Sequence, residues 1–346
     1  MALCGDDFEL AQAGMQRMRR SLLLLAGFFA AVFCQAAVAE TDPIIGSRPD
    51  PGLQEGGTLD KGKIPAKKPA RVNTLVDALD EEIVSLPVGD LRLAAGDTEG
   101  KIERLVYDIY VKGLPAGKAE FELKRQEKYG KANPMPVFMA SLSTRSNRAT
   151  SLFYDVKDRV SSIFDAKGGF SRLFSMDRKE GNSKVAERIT FNYEKDGASA
   201  LYERPRPDAD KDAKWVASTI QMTGKALDPL SAIYFMRSSG LNLKNIQPGK
   251  SKAAITLPIC SDRHVWNTRL YAVGVDHPDI GTFKNRDCVV FEIDAPFKGL
   301  FERVGKIRAW FDIETGVAVK MTAEISIGPA EAVLNIEESK NSPLNK

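Results

Sequence analysis

Alternation of apolar and polar residues with a period of two is the feature that most constrains the fold of this chain. Two such runs, 105–111 and 118–124, are separated by a turn rich in Gly and Pro, Gly113–Gly117. Successive side chains of a β-strand point to opposite faces, so the two runs predict an antiparallel hairpin with one buried and one hydrated face.

The same texture continues to the C-terminus. Strands are expected at 137–143, 152–164, 185–193, around 201, and at 253–257, 265–275, 289–294, 307–313, 317–327 and 332–336. Asp312–Gly316 predicts a hairpin turn with Gly316 at the position that favours positive φ.

One helix interrupts the strands. Asp228 is expected as its N-cap and Pro229 as its first residue, with Gly240 available to end it. About ten strands and one helix predict a mainly β fold. We expect a large twisted antiparallel sheet curled into a half-barrel or spiral, with the helix packed on its concave face, because open edges of large sheets invite mispairing.

The N-terminus predicts export. Arginines at 17, 19 and 20 precede a wholly apolar run, 22–33, and Ala37 and Ala39 form a signal-peptidase recognition site. We expect residues 1–39 to be a cleaved signal peptide and the mature protein to reside in the bacterial periplasm. The alternative is an uncleaved inner-membrane anchor, because the uncharged run of roughly 18 residues is just long enough to span a bilayer.

Residues 40–100 read as a linker rich in Pro, Gly and Lys, with a short helix expected at 73–86, and residues 101–340 as one β domain. The basic segment Lys61–Lys68 is a candidate for peripheral contact with anionic lipid, with a solvated linker as the alternative. The net charge of +3 is too small to indicate nucleic-acid binding.

Two cysteines follow the signal peptide, Cys260 and Cys288, and an oxidising compartment predicts a disulfide between them. A free thiol is the alternative. A zinc site built from these cysteines with His264 and His277 would lack closely spaced ligand pairs, so no metal site is expected. The chain contains no nucleophile elbow, HExxH or Gly-rich dinucleotide motif, so we expect neither a catalytic site nor a cofactor.

Four stretches together resemble the exported bacterial family known as domain-of-unknown-function family 3108. They are Tyr107-Asp-Ile-Tyr-Val-Lys-Gly-Leu-Pro-Ala-Gly117, Asp228-Pro-Leu-Ser-Ala-Ile-Tyr-Phe-Met-Arg237, Leu270-Tyr-Ala-Val-Gly274 and Ala309-Trp-Phe-Asp-Ile-Glu-Thr-Gly-Val-Ala-Val319. The resemblance implies an antiparallel β half-barrel over about 101–336 and no established activity. We interpret its motif residues structurally: Gly117 for the turn, Asp228 for the cap and Tyr234 for packing.

Two functions are open at this point. In the first, the curled sheet binds a lipid, acyl chain, glycolipid or envelope polymer in an apolar groove. In the second, the protein is a non-enzymatic scaffold that binds an envelope protein partner. A continuous apolar patch on the concave face would favour the first function, and a packed interior with exposed apolar residues would favour the second.

Overall fold

The computed structural model describes residues 101–130, 134–194, 197–205, 215–237, 254–281, 286–294, 307–325 and 328–345. The expected signal peptide with Ala37 and Ala39, the linker with Lys61–Lys68, the helix expected at 73–86 and the helix-ending Gly240 lie outside these residues. Among the described residues, no helix is both long enough and apolar enough to cross a membrane.

The described residues form one sheet of fourteen antiparallel strands, which confirms the predicted fold class. The strands are β1 Glu103–Val111, β2 Leu114–Tyr129, β3 Met135–Ser146, β4 Lys157–Asp165, β5 Ser171–Glu180, β6 Ser183–Glu194, β7 Gly197–Pro205, β8 Trp215–Met222, β9 Ala254–Ser261, β10 His264–Asp276, β11 Cys288–Asp294, β12 Ile307–Asp312, β13 Ala318–Ile325 and β14 Gly328–Lys340. Within the described ranges, two α-helices accompany them, α1 Arg148–Ser151 and α2 Pro229–Arg237, and a short 3-10 helix spans Pro343–Asn345.

The strand order shows that the sheet is open. Successive strands pair from β1 to β8 and from β9 to β14, β1 also pairs with β14, and β8 and β9 are the two edges. The opening between these edges is spanned by the segment that leads into α2. The Leu227 N–H donates to the Pro258 carbonyl oxygen at 2.9 Å, and the Cys260 N–H donates to the Leu227 carbonyl oxygen at 2.7 Å. On the other side, the Ser171 N–H of β5 donates to the Ala226 carbonyl oxygen at 3.0 Å.

Helix α2 fills part of the concave face. It contacts β3, β4 and β9, and all nine of its residues are buried. A helix that is enclosed on every side belongs to a core, and its apolar residues join one continuous cluster with side chains from the sheet. The prediction that the helix packs on the concave face is therefore confirmed.

The first hairpin is tighter than the sequence suggested. Val111 pairs with Leu114, and the two turn residues, Lys112 and Gly113, have φ values of 50° and 76°. Two consecutive residues with positive φ match the twist of a two-residue hairpin. Gly117 therefore lies in β2 and not in the turn. It is needed because a Cβ at this position would clash with the carbonyl oxygen of Arg145 on β3.

The two ends of the sheet differ, and we name them by their contents. At the helix end, β1 begins at Glu103 and meets the C-terminal residue of α2, Arg237. At the turn end, β1 passes to β2 through Lys112–Gly113, and β3 passes to β4 through α1.

Candidate functional site

At the helix end, Asp228 is the N-cap of α2, which confirms the prediction. Its Oδ1 accepts hydrogen bonds from the N–H groups of Leu230 (2.8 Å) and Ser231 (2.9 Å). Its Oδ2 accepts from the hydroxyls of Ser162 (2.5 Å) and Ser171 (2.6 Å). Burial raises the pKa of Asp228 and these hydrogen bonds oppose the rise. One fully buried carboxylate thus joins α2 to β4 and β5.

The other end of α2 is held by a buried ion pair. The Arg237 guanidinium donates from Nη1 and Nη2 to the two carboxylate oxygens of Glu103, at 2.6 and 2.9 Å. Side-chain exposure is 3% for Arg237 and 1% for Glu103. The Tyr234 ring stacks on the Phe164 ring with 5.8 Å between the ring centroids, as expected for a packing residue. Its hydroxyl has no hydrogen-bond partner among the described residues.

At the turn end, the interior holds a group of buried charges that we call the carboxylate cluster: Asp158, Glu180 and Glu187, with Arg178. Arg178 donates to Oε1 of Glu180, and the Tyr154 hydroxyl donates to Oε2 of Glu180 at 3.3 Å. Asp158 accepts from the Lys179 N–H at 3.0 Å. Burial and then the neighbouring charge of Glu180 raise the pKa of Asp158. Among the described residues, Arg178 is therefore the one buried cation beside three buried acids in the carboxylate cluster.

Glu187 is the most enclosed acid of the carboxylate cluster, at 2% exposure. Its Oε2 accepts from the Tyr202 hydroxyl at 3.2 Å, whereas its Oε1 has no partner among the described residues. Burial raises the pKa of Glu187 to about 8, and the charge of Asp262 in the β9–β10 turn adds to the rise. Glu187 is therefore mostly protonated near neutral pH.

The surface of the turn end carries the most exposed large apolar side chains of the described residues. Leu152 is 79%, Phe153 77% and Leu114 70% exposed, whereas the next value is 47%. We call these three residues the apolar tip. Leu152 and Phe153 were expected inside a strand at 152–164, and this prediction is wrong. They follow α1, and β4 begins only at Lys157.

Basic residues surround the apolar tip. Lys112 lies in the β1–β2 turn, Arg145 is the second-last residue of β3, Arg148 begins α1 and Lys157 begins β4, and all four are exposed. We call these four residues the basic ring. Two of these four residues pair with acids: Lys157 lies 3.0 Å from Asp155, and Arg145 lies 3.8 Å from Glu120. In the described part of the chain, Lys112 and Arg148 form no ion pair.

A groove of about 660 Å³ opens beside the β1–β2 turn, and its lining includes Gly113, Arg308, Thr322 and Glu331. The last three residues alternate with the buried Ala309, Met321 and Ala332, so they face outward. The groove therefore lies on the convex side of the sheet, whereas the sequence predicted a groove on the concave side.

The two cysteines are not brought together, and the predicted disulfide is wrong. Cys260 pairs with Val265 at one end of β10, and Cys288 pairs with Asp276 at the other end. At about 3.3 Å per residue, these positions are separated by tens of ångströms, whereas disulfide-bonded Cα atoms lie within about 7 Å. Both thiols are free and buried, and burial raises the pKa of each to about 12.

The histidines take the places that strand and loop composition indicated. His264 begins β10, where its Nδ1 lies 3.0 Å from the Asp262 carbonyl oxygen, and its ring is 5.4 Å from that of Trp266. His277 Nε2 lies 3.1 Å from a carboxylate oxygen of Asp287. Because Cys260 and Cys288 lie at opposite ends of β10, these residues do not converge on one point.

Fold and site together define a mainly β protein. In its described residues, an open sheet of fourteen antiparallel strands carries helix α2 on its concave face, and buried acids and exposed apolar side chains lie at its turn end. The model of the family described as protein of unknown function (DUF3108) matches residues 106–335. The chain belongs to this family.

The chain was also compared with curated proteins and with solved structures. No curated protein matches the chain. Among solved structures, it is similar to a β-barrel-like protein of domain of unknown function DUF1849 from Brucella abortus, at 13% sequence identity and a TM-score of 0.40. The match covers 68% of this chain and 95% of the Brucella protein.

Proposed function

We propose that this protein is a non-enzymatic association protein of the bacterial cell envelope that is exported to the periplasm and attaches to other envelope components through its turn end. The observation that carries the proposal is the apolar tip. Leu114, Leu152 and Phe153 are each at least 70% exposed, although burying such side chains would stabilise the folded protein. Their exposure is explained if another surface covers them.

The packing of the interior supports association over carriage of a ligand inside the sheet. Helix α2 occupies the part of the concave face over β3, β4 and β9, and its side chains join one continuous apolar cluster with Phe138, Phe164 and Leu257. An acyl chain in the same space would have to displace this helix. The helix is held at one end by Asp228 and at the other by the Glu103–Arg237 pair.

The buried acids support a non-enzymatic role. Asp158 and Glu187 have raised pKa values, as catalytic acids often do, but they are only 4% and 2% exposed. Neither lines the groove beside Gly113. A substrate in that groove would therefore not contact them.

Cell fractionation tests the proposal. The full-length gene is expressed in a bacterial host, and the soluble periplasm is separated from the sedimented envelope. We expect the protein in the envelope fraction and the Leu152→Ser/Phe153→Ser variant in the soluble fraction. Val275→Ser is the matched control, because Val275 is exposed at the helix end. If the double variant distributes like the control, the proposal is wrong.

Two mass measurements test the remaining elements. Intact mass of the isolated protein should match a chain that begins at Glu40, and a mass that retains the first 39 residues would indicate an anchor instead. Native mass spectrometry of the isolated protein should show the mass of the chain alone, with no lipid bound to it. A stoichiometric lipid adduct that the Leu152→Ser/Phe153→Ser variant retains would instead support a carrier with its ligand inside the sheet.

A further inference from the structure

We propose that the turn end docks on an anionic lipid surface, with the apolar tip inserted among the lipids and the basic ring against their phosphates. The inference rests on the proposed function and names the partner of that same surface. It uses residues of the folded domain, and the linker segment Lys61–Lys68 has no part in it.

The three apolar residues belong to one rigid surface. Asn147 joins the two loops that carry them: its N–H donates to the Ala116 carbonyl oxygen at 2.9 Å, and its Nδ2 donates to the Pro115 carbonyl oxygen at 2.7 Å. The Asn147 Oδ1 also accepts from the Thr150 N–H at 2.8 Å, as the N-cap of α1. Leu114 and the residues after α1 are therefore fixed relative to each other.

The base of the apolar tip is anchored in the core. Tyr154 follows Phe153 directly and is 5% exposed, with its hydroxyl bound to Glu180. The N–H groups of Phe153 and Tyr154 both donate to the Thr150 carbonyl oxygen, at 3.0 and 2.8 Å. The loop is thus held in place while Leu152 and Phe153 point into solvent, so inserting them requires no refolding.

The charge around the apolar tip favours an anionic partner. Arg148 lies one helical turn before Leu152, and Lys112 precedes Leu114 by two residues, so a cation accompanies each part of the apolar tip. Within the basic ring, Lys157 pairs with Asp155 and Arg145 lies 3.8 Å from Glu120. Two further acids, Glu324 and Glu331, line the groove beside Gly113, and Glu331 is paired with Lys320. Cations of this kind are attracted to the negative surface potential of anionic lipids.

The size of the surface favours lipid over a protein partner. A stable protein interface buries about 800 Å² on each side, with apolar anchors in fitted pockets. Three protruding side chains cover much less than this. A lipid surface needs no such area, because each apolar side chain inserts independently below headgroups that pair with the surrounding cations.

Vesicle cosedimentation of the purified protein tests the inference. We expect binding to vesicles rich in phosphatidylglycerol, weak binding to pure phosphatidylcholine, and loss of binding as salt is added. Leu152→Ser/Phe153→Ser should weaken binding about 100-fold, because each apolar side chain contributes about tenfold or more. Arg148→Glu should weaken it roughly tenfold. Val275→Ser and Lys128→Glu, at exposed helix-end positions, should bind like the wild type.

Three outcomes would overturn the inference. If binding persists in the double variant and is lost when the lysines of Lys61–Lys68 are replaced, the linker is the lipid contact. If binding is equal on both lipids and insensitive to salt, the basic ring has no role. If the wild type binds neither vesicle while envelope fractionation still depends on Leu152 and Phe153, the partner is a protein and only the proposed function stands.

Discussion

The buried carboxylates at the two ends of this sheet differ in how many of their oxygens have a hydrogen-bond donor. At the helix end, the two carboxylates that hold α2 have donors on both oxygens: Asp228 accepts four hydrogen bonds, and Glu103 binds Arg237 through both of its oxygens. The atoms without a partner there, among the described residues, include the Tyr234 hydroxyl and the Arg237 Nε. At the turn end, Asp158 and Glu187 each keep one oxygen without a donor among the described residues.

The surfaces differ in the same direction. Above the carboxylate cluster lies the apolar tip, whose side chains are at least 70% exposed, whereas α2 at the helix end is fully buried. The two ends therefore differ in their acids and in their exposed apolar side chains: the turn end combines incompletely satisfied carboxylates with the apolar tip, and both features cost stability. Such costs are typical of functional regions, because selection for function tolerates them.

The largest effect should come from breaking the helix-end ion pair. Glu103→Ala leaves the Arg237 charge buried without its partner and should lower the free energy of unfolding by about 3–5 kcal/mol. Denaturant titration measures this change. Lys320→Met removes a more exposed pair with Glu331 and should cost less than about 1 kcal/mol. Equal effects of the two substitutions would show that the helix end is not the stability centre.

The two helix caps give the next contrast. Asp228→Ala should cost about 3 kcal/mol, because it removes a cap and leaves the buried Ser162 and Ser171 hydroxyls without their acceptor. Asn147→Ala removes the cap of the short α1 at the turn end and should cost about 1 kcal/mol. Thermal unfolding of both variants checks the order, and the reverse order would contradict the comparison.

The turn end should give the protein a distinctive pH dependence. The pKa of Glu187 is about 8 when folded and near its ordinary value when unfolded. Between these values the folded state holds a proton that the unfolded state has released, so stability falls as pH rises from about 5 to 8. The slope from this one group is at most about 1.4 kcal/mol per pH unit.

Glu187→Gln should flatten this slope, as measured by unfolding at a series of pH values. Glu120→Gln is the matched control, because Arg104 lowers the pKa of Glu120. Its stabilising contribution is lost only in acid, so this variant should keep the wild-type slope between pH 5 and 8. An unchanged slope in Glu187→Gln would mean that Glu187 is already ionised in the folded protein.

The smallest effect concerns the cysteines. Because Cys260 and Cys288 lie at opposite ends of β10 with free thiols, a reducing agent should leave the melting temperature unchanged. Thiol titration of the unfolded mature protein should find both thiols. A lower melting temperature on reduction would show that a disulfide joins them after all.

The sequence predicted the helix end well. The Asp-Pro pair marked the start of α2 because cap chemistry is local, and the hairpin at 312–316 was equally clear, with Gly316 at φ 67°. Alternation located most strands wherever one face is apolar and the other polar. These features depend on neighbouring residues alone.

The turn end was largely missed, for physical reasons. Strand β5 was not predicted because its inward positions include Arg178 and Glu180, which break the apolar alternation. Strand β8 was not predicted because most of its residues are exposed, so it has no buried apolar face to produce an alternation. Leu152 and Phe153 looked like strand core, since hydrophobicity alone does not reveal exposure. The cysteine pairing failed because spacing in the chain carries no information on register.

Hydrogen exchange with and without phosphatidylglycerol vesicles reports on both ends of the sheet in one experiment, and so shows which end contacts lipid. We expect lipid to protect the amides of 112–114, 116 and 148–154, whereas the amides of α2 at 230–237 keep their exchange rates. Protection at the helix end, or no protection at 148–154, would contradict the assignment of the turn end as the working surface.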